Sequence, residues 1–550
     1  MRNALRVAGG IFLSRIFGFL RDAATAFFFG AGPHADVFRT VLRLPNLLQN
    51  LLGEQTLSAA FIPGLSRMVE EGRREDARRF AGAVLGLLVA VAAGLALLGV
   101  LAARPLVILF SAGYLKDAAG VAAGVATVDR LELAVAAVRW TFPMAGFLVL
   151  AAWALTVLNS HRRFFLPYVA PVIWNAAILT ALFWGALRLG WAGFGAAPPQ
   201  GSGPLGGLVL AACLGGLTGG ALQFAVQLPA ALRLLGGLRP SWSLRAPGVR
   251  AALKAFWPML LGRGAVQLSA FLDIFLASLL VTGAQSALGW AQTLYVLPVS
   301  LFAMSVAAAE LPELARQAGR AQEVAARAGG SLRQIAYLVV PTAVGFLAFG
   351  LPLVSAVYRR GNFGAADAWL VYLVLTGYTL GLPAVTWSRL LQNVYFALDD
   401  TRRPARWAVL RVVFATLLGL PLMFWLDRHA VGELAGLPAG ARPLFLGALG
   451  LALASGVTSW LELALLRRGL EERVPGLRLP LRRALVFALW TVPAAAAAGG
   501  VWWWLREAPR LPLGAAAVAA FAAVYLLATR LAGLPEARAW YSALGRRASR

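Results

Sequence analysis

Arg15, Arg21, Asp22, Arg39, Arg43 and Glu54 are charged side chains that interrupt the apolar stretch from Ser14 to Ser66. A charge at membrane depth costs at least ~2.5 to 3.5 kcal/mol on insertion scales, so such groups should face water, a polar ligand or one another. Arginine has a planar fork that grips phosphate or carboxylate bidentately and keeps its charge when partly desolvated. The chemistry on offer is the holding of an anionic group, with no bond made or broken. Arg21 and Asp22 are adjacent, so Asp22 is a local counter-charge able to orient or release the arginine. Arg39 and Arg43 are four apart and share a helix face, Asp36 lies toward the outer end of the same segment, and Glu54 sits about one span length further on. In the second half, Arg263, Asp273, Glu310 and Arg389 are the comparable charges. Structural roles stay open for several of these: Arg15 can snorkel to the interface and Asp36 can cap its helix. Arg139, Arg411 and Glu462 read better as partners in pairs between helices.

The elements that carry these residues must be membrane spans. The chain has 550 residues, 60% hydrophobic and 13% charged, which is more apolar surface than a soluble core of that length would bury. An all-α polytopic membrane protein is expected. A span needs about 20 mostly apolar residues, and about fourteen such runs occur. They lie near 4 to 29, 36 to 66, 79 to 103, 131 to 159, 165 to 188, 205 to 232, 251 to 280, 286 to 315, 333 to 357, 368 to 398, 407 to 426, 443 to 466, 484 to 505 and 512 to 532. The first run contains Arg15, Arg21 and Asp22 and no small-residue cleavage site, so it reads as a retained helix, not a signal peptide.

The net charge of +26 comes from short basic clusters between apolar runs, which argues against nucleic-acid binding and for loops on one membrane face. The clusters are Arg67 to Arg79, Arg162 and Arg163, Arg233 to Arg250, Arg316 to Arg327, Arg402 to Arg406, Arg467 to Arg483 and Arg538 to Arg550. They alternate with weakly charged connections such as Gly30 to Asp36, Thr282 to Gln285 and Gly195 to Pro204. Both termini are therefore expected on the cytoplasmic side. Cys213 is the single cysteine, and His34, His161 and His429 lie far apart, so no metal or cofactor site is expected.

An internal repeat organises the runs. Leu44-Pro45 followed by Phe61-Ile62-Pro63-Gly64-Leu65 returns as Leu297-Pro298 followed by Glu310-Leu311-Pro312-Glu313-Leu314. Pro105-Leu106-Val107 ahead of Gly113-Tyr114 returns as Pro352-Leu353-Val354 ahead of Gly361-Asn362-Phe363. The spacing predicts two six-helix lobes, 1–240 and 241–470, related by a parallel pseudo-repeat, with two further helices and a basic tail in 471–550. Halves of this kind commonly rock about a central site to give alternating access. Pro45, Pro63, Pro298 and Pro312 are expected to bend their helices.

Four stretches resemble the MurJ (MviN) family of lipid II flippases, within the multidrug/oligosaccharidyl-lipid/polysaccharide exporter superfamily. They are SRIFGFLRD from Ser14, FGAGPHADVFRTVLRLPNLLQNLLGEQTLSAAFIP from Phe29, VYRRGNFGAADA from Val357, and YFALDDTRRP from Tyr395. The resemblance implies a transporter, not an enzyme, that moves an undecaprenyl-linked peptidoglycan precursor from the inner to the outer leaflet of the bacterial cytoplasmic membrane. It implies lipid II or a similar undecaprenyl-pyrophosphate glycan as substrate, membrane lipids and cell-wall synthesis proteins as partners, and no cofactor. Carried onto this chain, the expected substrate-binding residues are Arg15, Arg21, Asp22, Asp36, Arg39, Arg43, Glu54, Asp273 and Arg389. The helices between Ala484 and Ala532 are expected to form a groove for the isoprenoid tail. Two departures stand out: Gln49 and Asn50 occupy positions that are usually basic in the family, and Gln292 and Thr293 replace an acidic and a basic residue. A different lipid-linked oligosaccharide, or a nontransporting wall-synthesis scaffold, is the alternative these departures raise. A drug exporter would want an acidic cavity, and a membrane glycosyltransferase would want acidic motifs in large outer loops; neither pattern is present.

Overall fold

The computed structural model describes residues 2–52, 54–193, 196–237, 240–317, 319–437, 443–538 and 541. The side chains of Asn50, Glu54 and Arg263 lie outside the described residues, as do Arg239, Arg546, Arg547 and Arg550. The described chain is helical, with one isolated bridge between Ala430 and Phe445. It divides into two compact units, residues 1–286 with 360–363, and residues 287–359 with 364–550.

The first unit carries α1 (Arg2–Phe29), α2 (Pro33–Leu52), α3 (Glu54–Glu70), α4 (Arg74–Leu101), α5 (Ala103–Phe110), a 3-10 turn (Ala112–Lys116), α6 (Asp117–Ala122), α7 (Arg130–Ser160), α8 (Phe165–Arg188), α9 (Ser202–Leu235) and α10 (Val249–Leu279). At its centre is α7, apolar on all sides beyond Arg139 and packed on α2, α3, α4 and α9. An all-round apolar helix of this kind belongs in an interior. Small residues bring α9 against its neighbours: a Cβ on Gly219 would lie 2.8 Å from the Ala177 side chain of α8. Where lipid is as apolar as leucine, such close backbone contact supplies the dispersion energy that holds helices together.

The second unit contains most of α11 (Ala284–Pro298), a π-helical turn (Val299–Met304), α12 (Ser305–Arg316), α13 (Ala321–Tyr358), α14 (Ala365–Leu380), α15 (Leu382–Ala397), α16 (Arg402–Leu426), α17 (Val431–Ala435), α18 (Gly447–Leu470), α19 (Leu481–Trp504) and α20 (Arg510–Leu531). Its core is the long α13, packed on α14, α15, α19 and α20 around Tyr337, Trp387, Tyr395 and Phe487. The π turn directly follows Pro298, one of the prolines expected to disturb its helix.

Each of the fourteen expected spans falls on helix, but length and composition qualify ten helices among the described residues, or up to twelve if two bent pairs count as spans. The helices α1, α2, α3 and α10 are not among those that qualify, consistent with the charges that α1 and α2 carry and with the 17-residue length of α3. One bent pair was not expected: residues 103–110 and 112–122 turn through 107° at Ser111, the geometry of a broken span or re-entrant loop. The contact boundary also departs from the repeat, since α10 packs with α2 and α3 in the first unit.

Candidate functional site

The charges of α1 and α2 meet at Asp22. Arg21 donates from Nη2 to Asp22 Oδ1 at 2.9 Å, and Arg39 Nη2 lies 3.5 Å from Asp22 Oδ2. Two guanidinium groups thus share one carboxylate. All three side chains are largely buried, at 18%, 19% and 11% exposure, so their field is only partly screened by water. The Arg21 guanidinium also lies 5.3 Å from the ring centre of Trp174 on α8, within cation–π range. Thr25 Oγ1 donates to the Asp22 carbonyl and braces the turn beneath the cluster. The arrangement can hold an anion without pulling a fully bare charge out of water.

Asp36 goes elsewhere. It was expected as a substrate contact on a cavity wall, yet its residue is 0% exposed and its carboxylate accepts from the backbone N–H of Gly283 (2.7 Å) and of Ser286 (2.8 Å), at the start of the helix that opens at Ala284. Arg130 Nη1 is 3.6 Å from Asp36 Oδ2, and the same guanidinium clamps Asp117 through Nε and, at 2.9 Å, Nη2. Its face lies 4.5 Å from the Tyr114 ring centre. Tyr114 and Thr40 both bond Gln285, whose Nε2 donates to the Ile274 carbonyl. The physical reason for the difference is saturation: two backbone donors and a buried arginine satisfy both carboxylate oxygens. Arg130, Asp117 and Tyr114 were not foreseen as its partners.

The repeated glycine loops occupy matching places. Gly113 abuts Ser278 near the end of α10, where a Cβ would collide with the Ser278 carbonyl. Gly361, at φ +59°, abuts the end of α1, where a Cβ would sit 2.5 Å from Phe27 O. Beside it, Asn362 N donates to Phe27 O and Asn362 Nδ2 to Phe28 O, at 2.9 and 2.6 Å, satisfying two terminal helix carbonyls. The GNF motif is therefore a cap built from a distant part of the chain.

The other expected residues are dispersed. Arg15 is exposed on α1, Arg43 and Asp273 are half-buried, and Arg389 is exposed on α15. In the second unit Arg411 Nη1 bonds Glu462 at 3.0 Å, with Gln392 donating to the other carboxylate oxygen, the inter-helix pair that sequence favoured. Glu310 pairs with Arg327 at 2.6 Å. Gln292 donates to the Tyr378 hydroxyl and Thr293 to the Gly289 carbonyl.

Between α13, α19 and α20 lies an almost wholly apolar cavity of about 380 Å³, lined by Phe302, Phe346, Phe349, Trp502, Phe521 and others. Trp503 and Trp504 are exposed beside it. A hydrocarbon chain is the ligand such a wall suits.

A family model described as "Lipid II flippase MurJ" matches residues 25–515. The "Probable lipid II flippase MurJ" of Vibrio cholerae is 29% identical over 483 residues, covering 86% of this chain and 83% of that one. The corresponding protein of Rhizobium tropici is 31% identical over 430 residues, covering 77% and 75%. Among solved structures, "Lipid II flippase MurJ, inward closed conformation" superposes with a TM-score of 0.70 at 20% identity, covering 95% of this chain and 98% of that one. An inward-facing multidrug resistance MATE family transporter of the MOP superfamily gives 0.58 at 13% identity, covering 85% and 99%. These two likenesses establish a shared fold.

Proposed function

Because the chain belongs to the lipid II flippase MurJ family, we propose that it translocates lipid II from the inner to the outer leaflet of the bacterial cytoplasmic membrane by alternating access, as a transporter with no covalent chemistry. The family match along most of the chain carries this reading. The largely buried Arg21–Asp22–Arg39 cluster supports it, since a lipid-linked pyrophosphate needs cationic contacts at membrane depth. In the same reading Arg15, Arg43, Asp273 and Arg389 meet the head group during the cycle, and Asp36 acts through the buried network around Arg130. The basic connections support a cytoplasmic position for both termini. Enzymes that polymerise the wall must consume what is delivered, and they are the protein partners this function calls for.

Complementation tests the proposal. The gene is expected to restore growth to bacteria depleted of their resident lipid II flippase. Proper membrane expression without rescue would point instead to another lipid-linked oligosaccharide or to a scaffold.

The apolar cavity of the second unit is proposed to hold the isoprenoid tail. Gly345 lines it, with the Phe521 ring 3.5 Å from where a Cβ would stand, so Gly345→Leu would project into the space. Export of the long-chain precursor should slow, while a short-prenyl analogue should move at the unaltered rate. Equal rates for the variant and the parent on the long-chain substrate would remove the tail from this cavity.

A further inference from the structure

A cavity of about 470 Å³ opens in the first unit where α7 ends, α8 begins and α9 ends. Arg162, Arg163 and Arg233 line it, together with Phe164, Phe165 and Leu234. All three arginines are exposed. Arg162 Nη2 lies 3.8 Å from Glu70 Oε1, with side chains 81% and 71% exposed, a pair of little worth in water. Arg163 and Arg233 form no ion pair among the described residues. The basic cluster that follows α3 differs, since Arg73, Arg78 and Arg79 are matched there by Glu71, Glu75 and Asp76.

The turn that presents Arg162 is one that suits glycine. Arg163 N donates to Leu158 O at 2.9 Å and Arg162 N to Asn159 O at 3.0 Å, closing α7 with Arg162 at φ +58°. The end of α9 closes by the same two bonds, Gly237 N to Leu232 O and Gly236 N to Arg233 O, and there the left-handed position holds Gly236 at φ +66°. Glycine takes this conformation without the Cβ penalty that arginine incurs. An arginine that only offsets the charge of terminal helix carbonyls can do so from within the last turn, as Arg233 does on α9. The backbone does not call for arginine at 162; the cavity beside it does.

The apolar side of the cavity continues along α9. Leu222, Val226, Ala230 and Leu234 recur every four residues on one face; the last two line the cavity, and Leu222 and Val226 are 51% and 43% exposed. Unmatched guanidinium groups at the head of an apolar track fit an amphiphile with a phosphate head, whereas a soluble anion would leave the track uncovered.

We propose that this cavity binds the phosphodiester head of an anionic diacyl phospholipid of the phosphatidylglycerol type, with an acyl chain laid along the face of α9 that runs from Leu234 to Leu222. The site shares no residue with the Arg21 cluster and stands whatever the transported cargo.

Native mass spectrometry of the full-length protein in detergent tests it, with dioleoyl-phosphatidylglycerol, dioleoyl-phosphatidylcholine and soluble glycerol 3-phosphate as probes. The parent should bind phosphatidylglycerol more tightly than phosphatidylcholine. In the triple variant Arg162→Gly, Arg163→Gln, Arg233→Gln, affinity for phosphatidylglycerol should fall roughly tenfold or more while phosphatidylcholine binding stays as it was. The charge-matched control Arg478→Gln, Arg482→Gln, Arg483→Gln removes exposed arginines that do not line this cavity, and should keep the parent's affinity. Arg162→Gly alone should hold or raise the thermal transition, because glycine suits the turn, and still weaken phosphatidylglycerol binding by roughly fivefold. Equal losses in the triple variant and the control would reduce the effect to overall charge and overturn the proposal. Equal binding of the two lipids by the parent would overturn it too. So would displacement of the lipid by glycerol 3-phosphate at equal concentration, which would make the occupant a soluble phosphate.

Discussion

Arg21→Ala is expected to abolish rescue of flippase-depleted cells while leaving the protein folded and in the membrane. In the parent the side chain shares Asp22 with Arg39. Removing Arg21 takes one of the two guanidinium groups away from the carboxylate and one positive charge out of the cluster. A hydrogen bond to a charged group is worth ~1.5 to 3 kcal/mol, and losing one should weaken head-group binding by roughly ten- to a hundredfold. Folding should be nearly unaffected, since Asp22 keeps Arg39 and α1 keeps its packing on α8. Arg21→Lys separates charge from geometry: it retains the positive charge and loses the fork, and partial rescue is expected. Full activity in Arg21→Ala at equal membrane level would end the case for this cluster as the anion site.

Arg130→Met should have the opposite profile, a large loss of stability. Arg130 is the cation between two buried carboxylates, with side-chain exposures of 3% for the arginine, 1% for Asp36 and 7% for Asp117. Breaking a buried pair from one side strands charge in a poor solvent and typically costs ~3 to 5 kcal/mol. Here two carboxylates are stranded, so the thermal transition in detergent should fall sharply and expression should drop. The triple change Arg130→Met, Asp36→Asn, Asp117→Asn removes the stranded charges and should recover much of the loss. A transition for Arg130→Met that matches the parent would show that the network holds nothing together.

How much of this was legible in the sequence depends on the range of the signal. Spans announce themselves through twenty consecutive residues, and each expected run lies on helix. The neighbours Arg21 and Asp22 were readable for the same reason, being adjacent in the chain. The Asp36 network was not, because Asp36, Asp117, Arg130 and Gln285 come from four separate segments and no periodicity links them. The bend at Ser111 escaped because its two arms are each too short to look like a span. Sequence also placed α10 at the head of the second half, whereas its packing depends on which neighbours its faces meet.

The cap that Asn362 provides has a consequence for the timing of synthesis. Asn362 Nδ2 bonds a carbonyl 334 residues earlier in the chain, at Phe28. At a synthesis rate of ~5 to 20 residues per second, the end of α1 emerges some 20 to 70 seconds before the residue that caps it exists. During that interval the carbonyls of Phe27 and Phe28 must be satisfied by water or lipid head groups. The first unit is thus sealed last, by residues 360–363, translated after 287–359 of the second unit and before 364–550, and nascent chains that stop short of residue 360 would leave it open.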